Sequence, residues 1–211
     1  MTATLRRPPA ATLAFAALVA AAIFAAGCSR PATVKQMFLV QAAAPPVVAR
    51  THPGTLRVRA FNVAAPFRGK AFVYRDSELK YDADFYDEFF VAPAIMLSDG
   101  TAKALRAANV FRRVVPAGAT GDDAEYVLDG FASELYGDVR IPTAPVAALA
   151  ITFYLSPTNV VNPGVIWSRE YRQRVAYTGA SADALARGWN AALSALLADL
   201  ARDLAAADLP K

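Results

Sequence analysis

The sequence is poor in the side chains that carry out covalent chemistry. It contains one cysteine, Cys28, and one histidine, His52, among 211 residues. A single cysteine excludes an intrachain disulfide and a metal site built from several thiolates. A single histidine leaves one base for a Ser-His-Asp arrangement, and no G-x-S-x-G motif supplies the nucleophile. Because glycine-rich phosphate loops are also missing, we predict that the protein is not an enzyme and has no catalytic residue.

Acidic side chains are concentrated in one short stretch, at Asp82, Asp84, Asp87 and Glu88. A carboxylate cluster of this kind could bind calcium or act in acid-base chemistry. The stretch lacks the glycine and the distal glutamate of an EF-hand loop. We therefore interpret it as a solvated sheet edge beside the core, and we predict neither a metal site nor a bound cofactor.

The excess of positive charge is small and partly belongs to the N-terminus. The chain has 22 basic and 18 acidic residues, a formal net charge of +4. Removal of residues 1–27 would take away Arg6 and Arg7 and lower this charge to +2. Nucleic-acid binding needs lysine and arginine clustered on one face, so we predict no nucleic-acid partner. The remaining 184 residues have a length typical of one domain.

What the N-terminus does contain is a secretory leader. Arg6 and Arg7 precede the apolar run Ala10–Ala26, and small residues lead up to Cys28. This pattern is typical of a bacterial lipoprotein signal peptide, and the 17 residues of the apolar run are fewer than the ~20 that a membrane-spanning helix needs. The alternatives are an ordinary signal peptide followed by a chance cysteine, or an uncleaved anchor. We predict a signal peptide at 1–27, a lipidated tether at 28–35 and a folded domain at 36–208.

Cys28 is the candidate lipidation site. Its thiol is the nucleophile that would accept a diacylglyceryl group, followed by N-acylation with a fatty acid such as palmitate. One acyl chain gives only marginal membrane binding, whereas several chains anchor a protein stably. Ser29, rather than aspartate, follows the cysteine, and by resemblance to the enterobacterial sorting pattern this favours the outer membrane, with the domain facing the periplasm.

Hydrophobic periodicity predicts a chain of strands interrupted by two helices. Residues 42–54, which include His52 and three prolines, are predicted to be a loop. The first strand, 36–41, is expected to have both faces buried, and the strand at 125–136 is expected to be central in its sheet. The predicted strands are 36–41, 56–63 with a bulge, 72–75, 79–85, 111–115, 125–136, 147–155 and 165–177.

The helices are predicted at Val91–Ala108, with a potential break near Asp99, and after Ser181, which caps a helix with a leucine stripe. Polar residues on the opposite side of this second helix favour packing on a sheet over lying on a membrane. The predicted fold class is α+β: a single domain with a mixed or mainly antiparallel β-sheet and two main helices packed on one side.

The best candidate binding surface is a set of aromatic residues between positions 74 and 90. About half of them must serve the core, and those that stay exposed would mark a protein or lipid contact, since aromatic side chains are enriched at interfaces. We select Tyr86, Phe89 and Phe90 as partner-binding candidates. The full set is Tyr74, Tyr81, Phe85, Tyr86, Phe89 and Phe90.

The order of motifs resembles one family. After the lipobox come M-F-L-V, L-R-V-R-A-F-N-V, F-V-Y-R-D-S-E-L-K-Y-D-A-D-F-Y-D-E-F-F-V-A-P-A, V-F-R-R-V-V, A-E-Y-V-L-D-G-F and V-I-W-S-R-E-Y. In this order they resemble the ABC-type transport auxiliary lipoproteins, the PqiC-like family, over essentially all of residues 28–204. The resemblance implies an outer-membrane lipoprotein that works with an ABC permease, its ATPase and an MCE-domain substrate-binding protein, with phospholipid as a candidate ligand.

The function that the resemblance implies is lipid transport between the inner and outer membranes, in which this chain is a non-catalytic component. Two alternatives stay open. The protein could be a structural or assembly lipoprotein of an outer-membrane machine without a transport role, or a soluble lipid carrier with an internal apolar cavity.

Overall fold

The computed structural model of the protein describes residues 34–119, 124–158, 164–179 and 181–210. Residues 35–211 make up one compact unit. The described ranges hold nine strands in one sheet, two α-helices and a 3₁₀ turn at Ala65–Phe67. The strands are β1 Gln36–Phe38, β2 His52–Val58, β3 Asn62–Val63, β4 Ala71–Arg75, β5 Tyr81–Phe89, β6 Phe111–Val115, β7 Tyr126–Asp138, β8 Val146–Pro157 and β9 Trp167–Ala176, and the helices are α1 Pro93–Ala107 and α2 Ala182–Ala206.

Strand β7 is the centre of the sheet. Along one edge it pairs with β8 in antiparallel orientation, and β8 pairs in turn with β9. Along its other edge it pairs in succession with β2, β3 and β4, all parallel to it. Strand β2 continues to β6, while β4 continues through antiparallel β5 to β1. The prediction of a central strand at 125–136 is confirmed, and the sheet is mixed, as expected for the α+β class.

Helix α2 covers β8 and β9 with its apolar stripe. Ser181 caps the helix by accepting a hydrogen bond from the backbone N–H of Ala184, as the sequence predicts. On the buried side, Trp189 donates its indole N–H to the Ala148 carbonyl of β8 at 3.2 Å. This bond satisfies the one polar atom of the largest fully buried side chain, so the helix is fixed to the sheet by packing and by a directional contact.

Helix α1 runs unbroken from Pro93 to Ala107. The predicted potential break near Asp99 therefore does not occur. The start of the helix uses proline, which suits the first turn because that turn needs no backbone N–H. Gly100 lies inside the helix and faces Leu193 of α2. Beyond the helix, Asn109 adopts a left-handed conformation with φ of 59°, which is a common way to end a helix.

Two sequence-based expectations about the first strands are wrong. The strand predicted at 36–41 with both faces buried is a short edge strand, β1, in which Met37 is exposed, because β5 is its one neighbour among the described residues. The loop predicted at 42–54 ends early, since β2 begins at His52. Pro53 is accommodated there because a register shift between His52 and Thr55 interrupts the pairing with β6, so a missing backbone N–H is tolerated.

Candidate functional site

The candidate site is built on an irregularity in strand β5. Val73 of β4 pairs with Ala83 and Ala71 pairs with Glu88, so the single residue between Ala71 and Val73 faces the four residues 84–87 of β5. The extra residues form a bulge at 84–87. A bulge leaves residues unpaired and redirects their side chains, and this one breaks the simple alternation of faces expected for Asp82, Asp84 and Asp87.

Asp84 holds the bulge in place. Its carboxylate oxygen Oδ1 accepts hydrogen bonds from the backbone N–H groups of Tyr86, at 2.7 Å, and of Asp87, at 3.0 Å. Aspartate commonly bonds to the backbone two residues ahead. The acidic residue is therefore a structural element of the bulge.

The bulge exposes neighbouring aromatic side chains. Phe85 is 73% exposed, Tyr86 is also exposed, and their ring centroids lie 5.1 Å apart in an edge-to-face arrangement. Four residues further on, Phe90 is 58% exposed, and its backbone N–H donates to the Phe38 carbonyl of β1. We call Phe85, Tyr86 and Phe90 the aromatic edge. Exposed aromatic side chains at a sheet edge are typical of protein interfaces.

Phe89, the third partner-binding candidate, lies elsewhere. Its side chain is 2% exposed and packs in the core, with ring centroids 4.7 Å from Phe72 and 5.2 Å from Trp189. The residue lies just past the bulge, where β5 pairs regularly again with β1. Phe89 is thus part of the core under the aromatic edge, and Phe85, which was in the wider aromatic set, takes its place on the surface.

Strand β1 borders the aromatic edge. The Lys35 ammonium group lies 5.3 Å from the centroid of the Phe85 ring and 3.5 Å from Glu88 Oε2. Met37 and Leu39 add exposed apolar surface beside it. Their exposure is not predicted from the sequence, because M-F-L-V has the pattern of a buried strand. The polar residues at both ends of this short run, Gln36 and Gln41, are the signal of an edge strand.

The flank of the aromatic edge is acidic. Burial and the nearby Asp84 carboxylate raise the pKa of Asp87, while a hydrogen bond from Lys80 lowers the pKa of Asp82. Lys80 lies 2.8 Å from Asp76 and 2.7 Å from Asp82, so its charge is shared between two carboxylates. Two lysines also contact the aromatic edge, Lys35 at the Phe85 ring and Lys70, whose Nζ donates to the Phe90 carbonyl at 3.0 Å, so the surface combines aromatic rings with an acidic flank and two cations.

His52 is a structural residue. It is buried and stacks near Phe111, and its Nε2–H donates to the Leu204 carbonyl in the last turn of α2 at 2.8 Å. Because a carbonyl can only accept, this bond places a proton on Nε2. The contact joins β2 to the end of α2.

Three further observations concern the described part of the chain. No group of three or more histidine, cysteine, aspartate or glutamate side chains in it could hold a metal ion. No helix in those ranges has the length and hydropathy to cross a membrane. The lipidation candidate Cys28 and the predicted leader lie outside the described residues.

Comparison with known proteins supports the fold. No family model matches the chain, and no curated protein matches it. Among solved structures, XCC0632 from Xanthomonas campestris, a DUF330 protein, superposes with a TM-score of 0.68 at 15% identity, over 78% of this chain and 92% of that one. An uncharacterized protein gives a TM-score of 0.62 at 15% identity, over 81% of this chain and 99% of that one.

A third structure, the hypothetical protein CT253 from Chlamydia trachomatis, has a TM-score of 0.50 at 8% identity, over 74% of this chain and 99% of that one. At these identities the likeness is one of fold. The chain therefore shares its α+β architecture with the DUF330 protein XCC0632 along nearly the whole length of that structure.

Proposed function

We propose that the protein is a non-catalytic lipoprotein of the outer membrane that docks an ABC/MCE-type lipid transporter from the periplasmic side. The observation that carries the proposal is the aromatic edge, which lies exposed on the strand next to β1, the first strand after the tether. A surface of this kind belongs to a protein that binds a partner, and its position links the partner to the predicted anchor.

The length of the tether supports a docking role close to the membrane. Seven peptide units separate Cys28 from Lys35, and a fully extended chain of this length reaches at most ~25 Å. A lipidated Cys28 would therefore keep Lys35, the residue before β1 that contacts the Phe85 ring, within that distance of the bilayer surface. A partner that binds to the aromatic edge would therefore bind close to the membrane.

The carboxylates along β5 favour a protein over an anionic lipid as the occupant of the aromatic edge. Asp82, Asp84 and Asp87 lie along the same strand, and anionic lipids repel carboxylates, whereas membrane-surface helices are rich in lysine and arginine. The resemblance to auxiliary lipoproteins names the partner: an MCE-domain substrate-binding protein that shuttles lipid from an ABC permease and ATPase. In this assembly the chain supplies position and contact area, and the ATPase supplies the energy.

A second candidate is a structural or assembly lipoprotein of an outer-membrane machine with no transport role. The same anchor and the same exposed aromatic rings serve that function equally well. Gene neighbourhood separates the two, because an adjacent MCE-domain gene and permease gene supports transport, and their absence supports an assembly role.

The proposal is tested by affinity purification of the full lipidated chain from detergent-solubilised envelopes, with quantitative mass spectrometry of the bound proteins. We expect an MCE-domain protein to co-purify, and we expect Tyr86→Ala together with Phe90→Ala to reduce its recovery. Ser168→Ala, at an exposed position on the far strand β9, is the matched control. Recovery of outer-membrane assembly proteins without any transporter component would favour the second candidate.

A further inference from the structure

Two arginines share one buried carboxylate where β7 ends. Asp138, which is 5% exposed, accepts from Arg140 Nε at 2.8 Å and Nη2 at 2.7 Å, and from Arg174 Nη2 at 2.5 Å. Arg174 also donates to the Tyr136 hydroxyl at 3.4 Å. The bidentate Arg140 contact and the third bond fix both guanidinium groups, since charge-assisted pairs of this geometry are the strongest hydrogen bonds in proteins.

The cluster has one positive charge in excess. Among the described residues, Asp138 is the one carboxylate with a hydrogen bond or an ion pair to either arginine. Arg172, two residues before Arg174 on β9, differs in this respect, because it lies 2.8 Å from both Glu134 and Glu170. The cluster at the end of β7 is therefore cationic, whereas the positive charge of Arg172 is balanced by two glutamates.

The cationic cluster borders a cavity of about 280 Å³, with apolar walls from Ile141, Ala144 and Val146. Nη1 of Arg140 donates to no group among the described residues, so its two N–H groups remain for a ligand. A guanidinium group presents its donors in a planar fork that matches two oxygens of a phosphate. The cavity therefore combines an apolar rim with a guanidinium group that Asp138 holds in place and whose Nη1 donors are available.

The cavity lies at the end of the sheet to which the N-terminal end of β1 points. Asp138 pairs with Arg75 at the end of β4, and Arg75 pairs with Tyr81 at the start of β5. Strand β1 runs parallel to β5 and begins opposite Asp87, so the N-terminal end of β1 points to the same end of the sheet. The six residue steps from Asp87 back to Tyr81 span at most ~20 Å of strand, which is less than the ~25 Å reach of the tether.

We infer that Arg140 and Arg174 form a binding site for a phosphate group in the cavity at the end of β7. Asp138 orients both guanidinium groups, Arg140 Nη1 donates to the phosphate oxygens, and the exposed Ile141 contacts the apolar part of a phosphate ester. The phosphate comes from a lipid headgroup or from a soluble phosphate. The lipid source rests on the proposed function, since the anchor is what would bring this end of the sheet to a bilayer.

The experiment uses the full lipidated chain, purified in a non-ionic, phosphate-free detergent. Binding of inorganic phosphate and of glycerol 3-phosphate is measured by calorimetry, and binding of phosphatidylglycerol against diacylglycerol is measured by native mass spectrometry. Arg140→Gln removes the charge and is the main variant, Arg140→Lys keeps the charge without the fork, and Arg172→Gln is the matched control. Thermal melting of each variant verifies folding.

We expect Arg140→Gln to weaken binding of every phosphate-bearing probe by at least about tenfold, as for loss of a charged hydrogen bond, and Arg140→Lys to weaken it less. Arg172→Gln should leave it unchanged. Tighter binding of phosphatidylglycerol than of inorganic phosphate identifies a lipid headgroup, whereas binding of the soluble phosphates alone identifies a free phosphate site.

Absence of binding for all probes, or equal losses in Arg140→Gln and Arg172→Gln, would overturn the inference. The proposed function fails separately: co-purification of the transporter with a chain that binds no phosphate refutes only the phosphate site. Phosphate binding by a chain that recovers no transporter refutes only the docking role.

Discussion

Phe85 and Tyr86 are consecutive residues of one strand, yet both side chains are exposed and their rings meet edge to face, with centroids 5.1 Å apart at 86°. In a regular strand, consecutive side chains point to opposite faces. The arrangement here follows from the bulge that Asp84 stabilises through two backbone hydrogen bonds. The bulge therefore creates the aromatic edge.

The adjacent residues Phe89 and Phe90 should separate stability from binding. Phe89 packs against Phe72 and Trp189, so we expect Phe89→Ala to lower the free energy of unfolding by roughly 3–5 kcal/mol. Phe90 is largely exposed, and Phe90→Ala should change the free energy of unfolding by no more than about 0.5 kcal/mol. Urea denaturation of both variants measures this difference, and similar losses in the two would show that the rings have equivalent environments.

Two helical glycines should respond to alanine in opposite directions. A Cβ added at Gly188 of α2 would lie 2.7 Å from the Cβ of Ala147, whereas one added at Gly100 of α1 would lie 3.8 Å from Leu193. We expect Gly188→Ala to destabilise the fold by roughly 1–3 kcal/mol through steric strain. Gly100→Ala should stabilise it by about 0.5–1 kcal/mol through helix propensity.

Thermal melting and urea titration of both glycine variants test this pair. A stabilising Gly188→Ala would mean that α2 can move away from β8 without loss of packing.

The Asp138 cluster should make stability depend on pH in the acidic range. Hydrogen bonds from Arg140, followed by those from Arg174, hold the pKa of Asp138 well below its usual range. A carboxylate with a lowered pKa stabilises the fold fully above its ordinary value of about 3.9, and this contribution is lost as the pH falls below that value. Wild type should therefore exceed Asp138→Asn in stability at pH 6.

The stability difference between wild type and Asp138→Asn should shrink between pH 5 and pH 2. Urea midpoints measured across this range give the test. A difference that stays constant with pH would show that Asp138 contributes through packing alone.

Much of the fold follows from local patterns in the sequence. The alternation along β8 and β9 and the leucine stripe of α2 each predict their element, because these segments have one clearly apolar face. The cap at Ser181 and the left-handed Asn109 also follow from residue type. In each case the signal is contained within one element.

The rest depends on contacts between distant segments. The sequence predicts a loop at His52 and Pro53, but the His52 side chain is buried and donates to the carbonyl of Leu204, 152 residues away. Phe89 and Phe90 cannot be told apart by composition, and their different environments result from pairing with β1 after a bulge. The site at Arg140 and Arg174 joins residues from β9 and from the segment after β7, which no local spacing predicts.

Anchoring through Cys28 is testable by metabolic labelling. We expect labelled palmitate to enter the wild-type chain, and we expect the mature protein to begin at Cys28. Cys28→Ser should lose the label and leave the membrane fraction, with an unchanged melting temperature because the cysteine precedes the folded domain. Label that persists in Cys28→Ser would contradict lipidation at this residue.

The docking role is tested most directly by photocrosslinking in living cells. A photoreactive phenylalanine analogue is placed at position 86 in place of Tyr86, and at position 131 in place of Phe131, a partly exposed residue of β7, as the control. The account predicts a crosslink from position 86 to an MCE-domain protein and none from position 131. A lipidated, membrane-bound chain that gives no such crosslink from position 86 would contradict it.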